Sequence, residues 1–147
     1  MSGEYNRIFA ALDGGKTQKE VALRALRLAK DNHAELMFGH VVDSVPYEAA
    51  GTDFAALAEE MKIKLESSIA DVIEEARNCE AIPHFQVIVK AGRITETLDE
   101  QLIGPFGPDL VVCGERGLSN IKYAFVGSVS TYLIRNVRCD VLVVKQD

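Results

Sequence analysis

Val111-Val112-Cys113-Gly114-Glu115-Arg116-Gly117, separated by nine residues from Gly127-Ser128-Val129-Ser130, is the stretch whose reading decides the fold. It reads as a buried strand, a loop punctuated by glycine, and the first turn of a helix whose apolar face continues through Leu133 and Ile134. Each part suits an anion. Glycine lets a backbone turn tightly and approach a ligand closely, and a helix N-terminus offers free amides and the positive end of a dipole. Ser128 and Ser130 place hydroxyls where helix starts favour them. An ordinary strand-to-helix loop also uses glycine and serine, so spacing alone leaves both readings open.

Working outward, short apolar runs alternate with amphipathic ones. Arg7 to Leu12, Glu35 to Val42, Phe85 to Val89, Leu110 to Cys113 and Val141 to Val144 have strand length and strand composition. Between the first two, Thr17 with Glu20 three residues on forms a capping box, followed by an apolar face of Val21, Ala22, Ala25, Leu26, Leu28 and Ala29 that ends at Asp31-Asn32-His33. One long helix is predicted from about Asp53 to Arg77, on the stripe Leu57, Met61, Leu65, Ile69, Val72, Ile73 and Ala76. Its acidic residues, Glu59, Glu60, Glu66, Asp71, Glu74 and Glu75, form a solvated face. A shorter helix carries Ile94, Leu98 and Leu102 and stops at Gly104-Pro105-Phe106-Gly107-Pro108, which cannot continue it. A last helix runs from Ser128 to about Asn136. Such alternation implies an α/β fold, a parallel sheet with right-handed crossovers. No linker, composition break or internal repeat divides residues 1–147, so one domain is expected.

Composition narrows the function classes. Hydrophobic residues make up 48% and charged residues 26% of the chain, a globular balance and not a disordered one. A net charge of −6 argues against a nucleic-acid partner or an anionic membrane, which want a basic surface. It leaves room for a nucleotide, whose charge local amides, Lys16 or Arg116 could offset. Cys79, Cys113 and Cys139 are odd in number and widely spaced, which fits neither a disulfide framework nor a zinc site. Cys113 sits in an apolar run as a small hydrophobe. The first residues lack the basic and apolar regions of a signal peptide, and no apolar run nears the ~20 residues that span a bilayer. A cytoplasmic protein is expected. His33, His40 and His84 show no ligand spacing, and His40, within an apolar strand, reads as a satisfied structural residue.

In an open parallel sheet, ligands bind beyond the carboxyl ends of strands, where strand order reverses. The first strand ends at Asp13 and the fourth at Gly114; as neighbours they would bring that carboxylate and the glycine loop to one crevice. Gly15-Lys16-Thr17 lacks the earlier glycine of a phosphate-binding P-loop, because Ala10 stands there, and no G-x-G-x-x-G fingerprint follows the first strand.

Gly114-x-x-Gly117, nine residues, then Gly127-Ser128 resembles the ATP-binding signature of universal stress proteins. The likeness extends over essentially the whole chain, through Asp13-Gly14, His40-Val41-Val42 and Cys139-Asp140-Val141-Leu142-Val143-Val144. It implies a single open five-stranded parallel sheet in the order 3-2-1-4-5 with helices on both faces, Rossmann-like and similar to adenine nucleotide alpha hydrolases. It implies a nucleotide-binding set: Ala11 and Leu12 against the nucleoside, Asp13 beside ribose and phosphates, Val41 whose backbone recognises adenine, and Cys113 and Gly114 at the mouth of the fourth strand. Arg116, Gly117, Gly127, Ser128, Val129 and Ser130 complete it around the phosphates. The implied cofactor is ATP, AMP or ADP, with Mg2+ or Mn2+ accompanying the phosphates and Asp13 reaching the metal through water. The implied partner is a second copy, a homodimer through the Val141–Val144 edge. Two departures stand out: Gly15 replaces a serine common among relatives, and the Gly104 to Pro108 segment is longer and more rigid than usual.

The leading expectation is a nucleotide-dependent stress-response or signalling module with no catalytic residue, since no water-activating base or arginine finger is evident. A slow ATPase or autokinase using the same pocket, with Ser128 or Ser130 as phosphoacceptor, is one alternative. A dimeric interaction protein independent of nucleotide is the other.

Overall fold

The computed structural model describes residues 4–115 and 128–145. Strands β1 (Arg7–Ala11), β2 (Glu35–Asp43), β3 (Phe85–Gly92), β4 (Leu110–Gly114) and β5 (Asp140–Val144) form one five-stranded sheet in the order β3-β2-β1-β4-β5, as expected. Every pairing is parallel, with Ala11 opposite Gly39 on one side and Cys113 on the other.

Both faces of the sheet are covered, which is why the strands read as near-continuous apolar runs. The period of two sorts the side chains. Ile8, Ala10, Leu36, Phe38, Leu110 and Val112 join Val21, Ala25 and Leu26 of α1 (Gln18–Asn32) and Val72, Ile73 and Ala76 of α3 (Ala70–Asn78) in one buried core. Phe9, Ala11, Met37, Val41, Val111 and Cys113 face the other way, against Leu98, Leu102 and Ile103 and against Leu133 of α6 (Ser128–Asn136). Gly39 belongs to that second face because it has no side chain: a Cβ there would lie 2.4 Å from Cζ of Phe9.

Three local expectations are corrected. The capping box at Thr17 does not form: Thr17 precedes α1, but its backbone (φ −95°, ψ 0°) is already turned and its side chain makes no cap bond. An N-cap side chain reaches the following amides from an extended backbone, and here the Asp13-to-Gln18 loop is wound tightly enough for the Gln18 N–H to reach the Gly15 carbonyl at 3.3 Å.

The long helix is two. α2 (Phe54–Ser68) and α3 are separated at Ile69, whose backbone (φ −126°, ψ 34°) leaves the helix for one residue. Ser68 Oγ donates to the Leu65 carbonyl at 2.8 Å, a back-bond that bends helices. Ile69 is fully buried at the bend, so the apolar stripe runs through it without a break and its periodicity carries no sign of the kink.

Gly104-Pro105 does not stop the third helix. α4 (Ile94–Thr97) widens over Leu98–Ile103 into a π turn and closes with one more turn, α5 (Gly104–Phe106), before Gly107 at φ 63° ends it. The Gly104 N–H reaches back to the Asp99 carbonyl, and Pro105 falls in the first turn of α5, where a missing N–H costs little. A Cβ at Gly104 would sit 2.5 Å from the Asp99 carbonyl oxygen, so only glycine allows this widening.

Candidate functional site

Strand order reverses between β1 and β4, and a cleft opens there beyond their carboxyl ends. Its empty volume is about 430 Å³ with the open mouth included. The sheet supplies Ala11, Val41 and Cys113 as its floor, Leu12, Asp13, His40 and Gly114 come from the strand ends, Ile94 and Leu98 form one wall, and Val129 and Ser130 of the first turn of α6 form the other.

Leu12 is the last residue of the β1 run, its N–H still reaching the Gly39 carbonyl at 2.8 Å. Asp13 then turns out, half-buried, and its Oδ1 accepts the Gly15 N–H at 2.7 Å. Gly14 adopts φ 77°, a left-handed backbone that glycine takes without strain. Its N–H donates to Gln18 Oε1 at 3.0 Å. The loop thus leaves the carboxylate of Asp13 at the rim and ties the Gly14, Gly15 and Gln18 amides into internal bonds.

His40 lies beneath this loop, 7% exposed, with Nδ1 2.8 Å from the Leu12 carbonyl oxygen. A carbonyl only accepts, so the proton is assigned to Nδ1 and Nε2 carries the lone pair in the neutral ring. Burial holds the imidazole pKa below its ordinary value, opposed by the bond to Leu12 and by the charge of Asp13. The ring is therefore neutral at physiological pH, the satisfied structural residue expected. Burial likewise pushes the Cys113 thiol up to about 11, which makes it an apolar floor group and no nucleophile.

On the far side, the Glu115 N–H reaches the Val144 carbonyl at 3.0 Å, so β4 stays paired to its end. Ser130 is buried and its Oγ donates to the Glu115 carbonyl at 3.4 Å, fixing the first turn of α6 against the strand exit. That turn faces the cleft with the positive end of a nine-residue helix, an arrangement that favours anions.

Eight of the expected residues, Ala11, Leu12, Asp13, Val41, Cys113, Gly114, Val129 and Ser130, meet in this one cleft. Ser128 opens α6, and Arg116, Gly117 and Gly127 lie outside the described residues. Sequence reasoning missed three lining residues: His40, Ile94 and Leu98. The spacing of Ile94 and Leu98 marked them as one helix face, and His40 adjoins Val41, but nothing in the sequence says that the face under α4 opens to a ligand. Among the described residues no group of three or more His, Cys, Asp or Glu side chains could hold a metal, and no helix is long and apolar enough to cross a membrane.

The universal stress protein family model matches residues 4–145 of the chain. A protein of Staphylococcus haemolyticus named as a universal stress protein is 28% identical over 143 residues, 97% of this chain and 86% of the relative. Among solved structures, hypothetical protein MJ0577 superposes with a TM-score of 0.72 at 22% identity, over 99% of both chains. A universal stress protein solved in complex with cAMP superposes with a TM-score of 0.65 at 21% identity, over 97% of this chain and 98% of that one.

Proposed function

The chain belongs to the universal stress protein family, and from that premise we propose that it binds an adenine nucleotide in the β1/β4 cleft and acts as a nucleotide-dependent stress-response or signalling module. One observation carries this reading: residues scattered from Ala11 to Ser130 converge on a single crevice with an apolar interior, one rim carboxylate and a helix N-terminus. Those parts match the parts of a nucleotide. The apolar floor suits the faces of a purine, whose edge the backbone beside Val41 can read. The rim carboxylate of Asp13 suits ribose hydroxyls, from which it can accept. The amides opening α6, with the Gly114-to-Gly127 segment before them, suit phosphates. Mg2+ or Mn2+ would ride with the phosphates and meet Asp13 through water. That a family member was solved with cAMP adds weight to the adenine class.

The same reading includes a homodimer through β5. Among the described residues the edge strand pairs with β4 alone, and Val141, Leu142 and Val143 are only partly buried, which leaves pairing groups and apolar surface for a second copy.

The test is what the protein carries and what it takes up. Purified protein, denatured and chromatographed, should release an adenine nucleotide, or the nucleotide-free protein should bind ATP with Mg2+ in calorimetry and gain thermal stability. Asp13→Ala and Gly127→Val should each lower affinity about tenfold or more, the loss of a hydrogen bond to a charged group or of a close backbone approach. Absence of any nucleotide, together with no calorimetric signal for ATP, ADP, AMP or cAMP, ends the reading. Single-turnover assay of the bound ATP separates a binder from a slow hydrolase.

A further inference from the structure

The left-handed turn at Gly14, next to the cleft residue Asp13, is tied to the break between α2 and α3 by a relay through the buried side chain of Gln18, between an exposed glycine and an exposed serine. Gly14 N–H donates to Gln18 Oε1 at 3.0 Å. Gln18 Nε2 donates to Ser68 Oγ at 2.8 Å, and Ser68 Oγ donates to the Leu65 carbonyl at 2.8 Å. Only one arrangement of protons satisfies it. A backbone N–H can only donate, so the amide oxygen of Gln18 must face Gly14 and its nitrogen must face Ser68. The Ser68 hydroxyl, already accepting, sends its own proton to Leu65, which caps the last turn of α2 just before Ile69 leaves the helix.

Two facts set this relay apart from ordinary surface bonding. Gln18 is 6% exposed, one of the few buried polar side chains in the described residues, and a buried amide left half-satisfied is costly. Both ends of the relay are departures from regular backbone: φ 77° at Gly14 and φ −126° at Ile69. The loop end holds Asp13, whose carboxylate accepts from Gly15 in the same turn. The far end is the junction of two helices that cover one face of the sheet.

We propose that Gln18 is a positioning residue for the cleft, setting the turn that presents Asp13, and that through Ser68 it couples that turn to the α2–α3 break. A ligand held by Asp13 then steadies the break, and whatever contacts α2 and α3 is felt at the cleft by the same amount, since such coupling is reciprocal. The ligand part of this statement rests on the nucleotide reading above; the coupling between loop and break does not.

Hydrogen exchange of the ligand-free protein tests the coupling directly in Ser68→Ala, Ser68→Thr and Gln18→Met. Ser68 makes no hydrogen bond to Gly14 or Gly15 themselves, yet Ser68→Ala is expected to speed exchange of the Gly14 and Gly15 amides roughly threefold to tenfold, the range set by one net hydrogen bond. Ser68→Thr, which keeps the hydroxyl, restores the slow rates, and the Ile8 to Ala10 amides stay unchanged in all. Gln18→Met speeds both the loop and Ile69, and the double variant is no faster at Gly14 than Gln18→Met alone. Unchanged Gly14 exchange in Ser68→Ala, or additive effects in the double variant, overturns the coupling. Calorimetry with ATP and Mg2+ then reads the second half: Ser68→Ala should weaken binding by a similar factor and Ser68→Thr should not. Coupled exchange in a wild type that binds no nucleotide sinks the nucleotide reading and keeps the relay; tight nucleotide binding indifferent to Ser68→Ala keeps the nucleotide reading and overturns the link from the relay to the ligand.

Discussion

His40 shows how one side chain can serve the fold at the edge of a ligand site. Its Nδ1 proton holds the Leu12 carbonyl, its ring lies under Gly14, and burial keeps it neutral. Because the folded pKa is below the ordinary 6.5, the unfolded chain binds the proton more readily. Stability from this group is complete above the unfolded value and is lost as pH falls from there through the folded one. Urea midpoints measured between pH 7.5 and 5 should therefore fall more steeply for wild type than for His40→Asn, in which the amide can still donate to Leu12 but does not titrate. Equal slopes would show that His40 titrates alike in both states. Gly39 makes a second residue-scale case, of space and not of charge. Gly39→Ala drives a methyl into the fully buried Phe9 ring and should cost about 2 kcal/mol by chemical denaturation; a change below ~0.5 kcal/mol would mean that the ring has room to move.

At the scale of elements, α2 is held at its start by Asp53, whose carboxylate accepts from the Ala55 and Ala56 amides at 3.0 and 3.2 Å. Asp53→Ala should cost about 1 kcal/mol and Asp53→Asn much less, since either capping side chain accepts from those amides. Circular dichroism during urea titration checks this. The widened turn after α4 is the other informative element. Gly104→Ala meets the Asp99 carbonyl, a backbone atom with little freedom to yield. It should destabilise the protein by more than the ~1 kcal/mol gain in helix propensity can offset. A more stable variant, read by thermal melting, would mean that Leu98–Ile103 can revert to an ordinary helix.

Across the whole molecule the proposed dimer turns on which groups β5 leaves open. The Val144 carbonyl accepts from Glu115, so with a period of two the main-chain groups of Val141 and Val143 point away from β4. Val143→Pro removes one outward donor and is compatible with an edge strand. Sedimentation should show a wild-type dimer and a folded Val143→Pro monomer; a wild type that stays monomeric at high micromolar concentration removes β5 pairing from the account.

The sequence by itself determined the alternation of strands and helices in a parallel sheet, and its resemblance to a known family supplied the strand order and most of the cleft residues. Apolar runs of strand length recur between helical stripes because both faces of a parallel sheet must be covered, and that requirement is written residue by residue. Asp13 and Gly114 were legible because strand ends carry them and the glycine spacing marks the exit of β4, whereas Val41 and Cys113 were legible through the family resemblance. What only the tertiary structure decided are the places where a distant side chain redirects a local preference. The Thr17 cap gave way to a loop anchored by Gln18, the long helix bent where Ser68 turned back on Leu65, and the helix expected to end at Gly104 widened and went on. His40, Ile94 and Leu98 became cleft residues for the same reason. Periodicity reports which side of an element is apolar, whereas a bend, a cap or an opening depends on hydrogen bonds and packing between segments that chain order keeps apart.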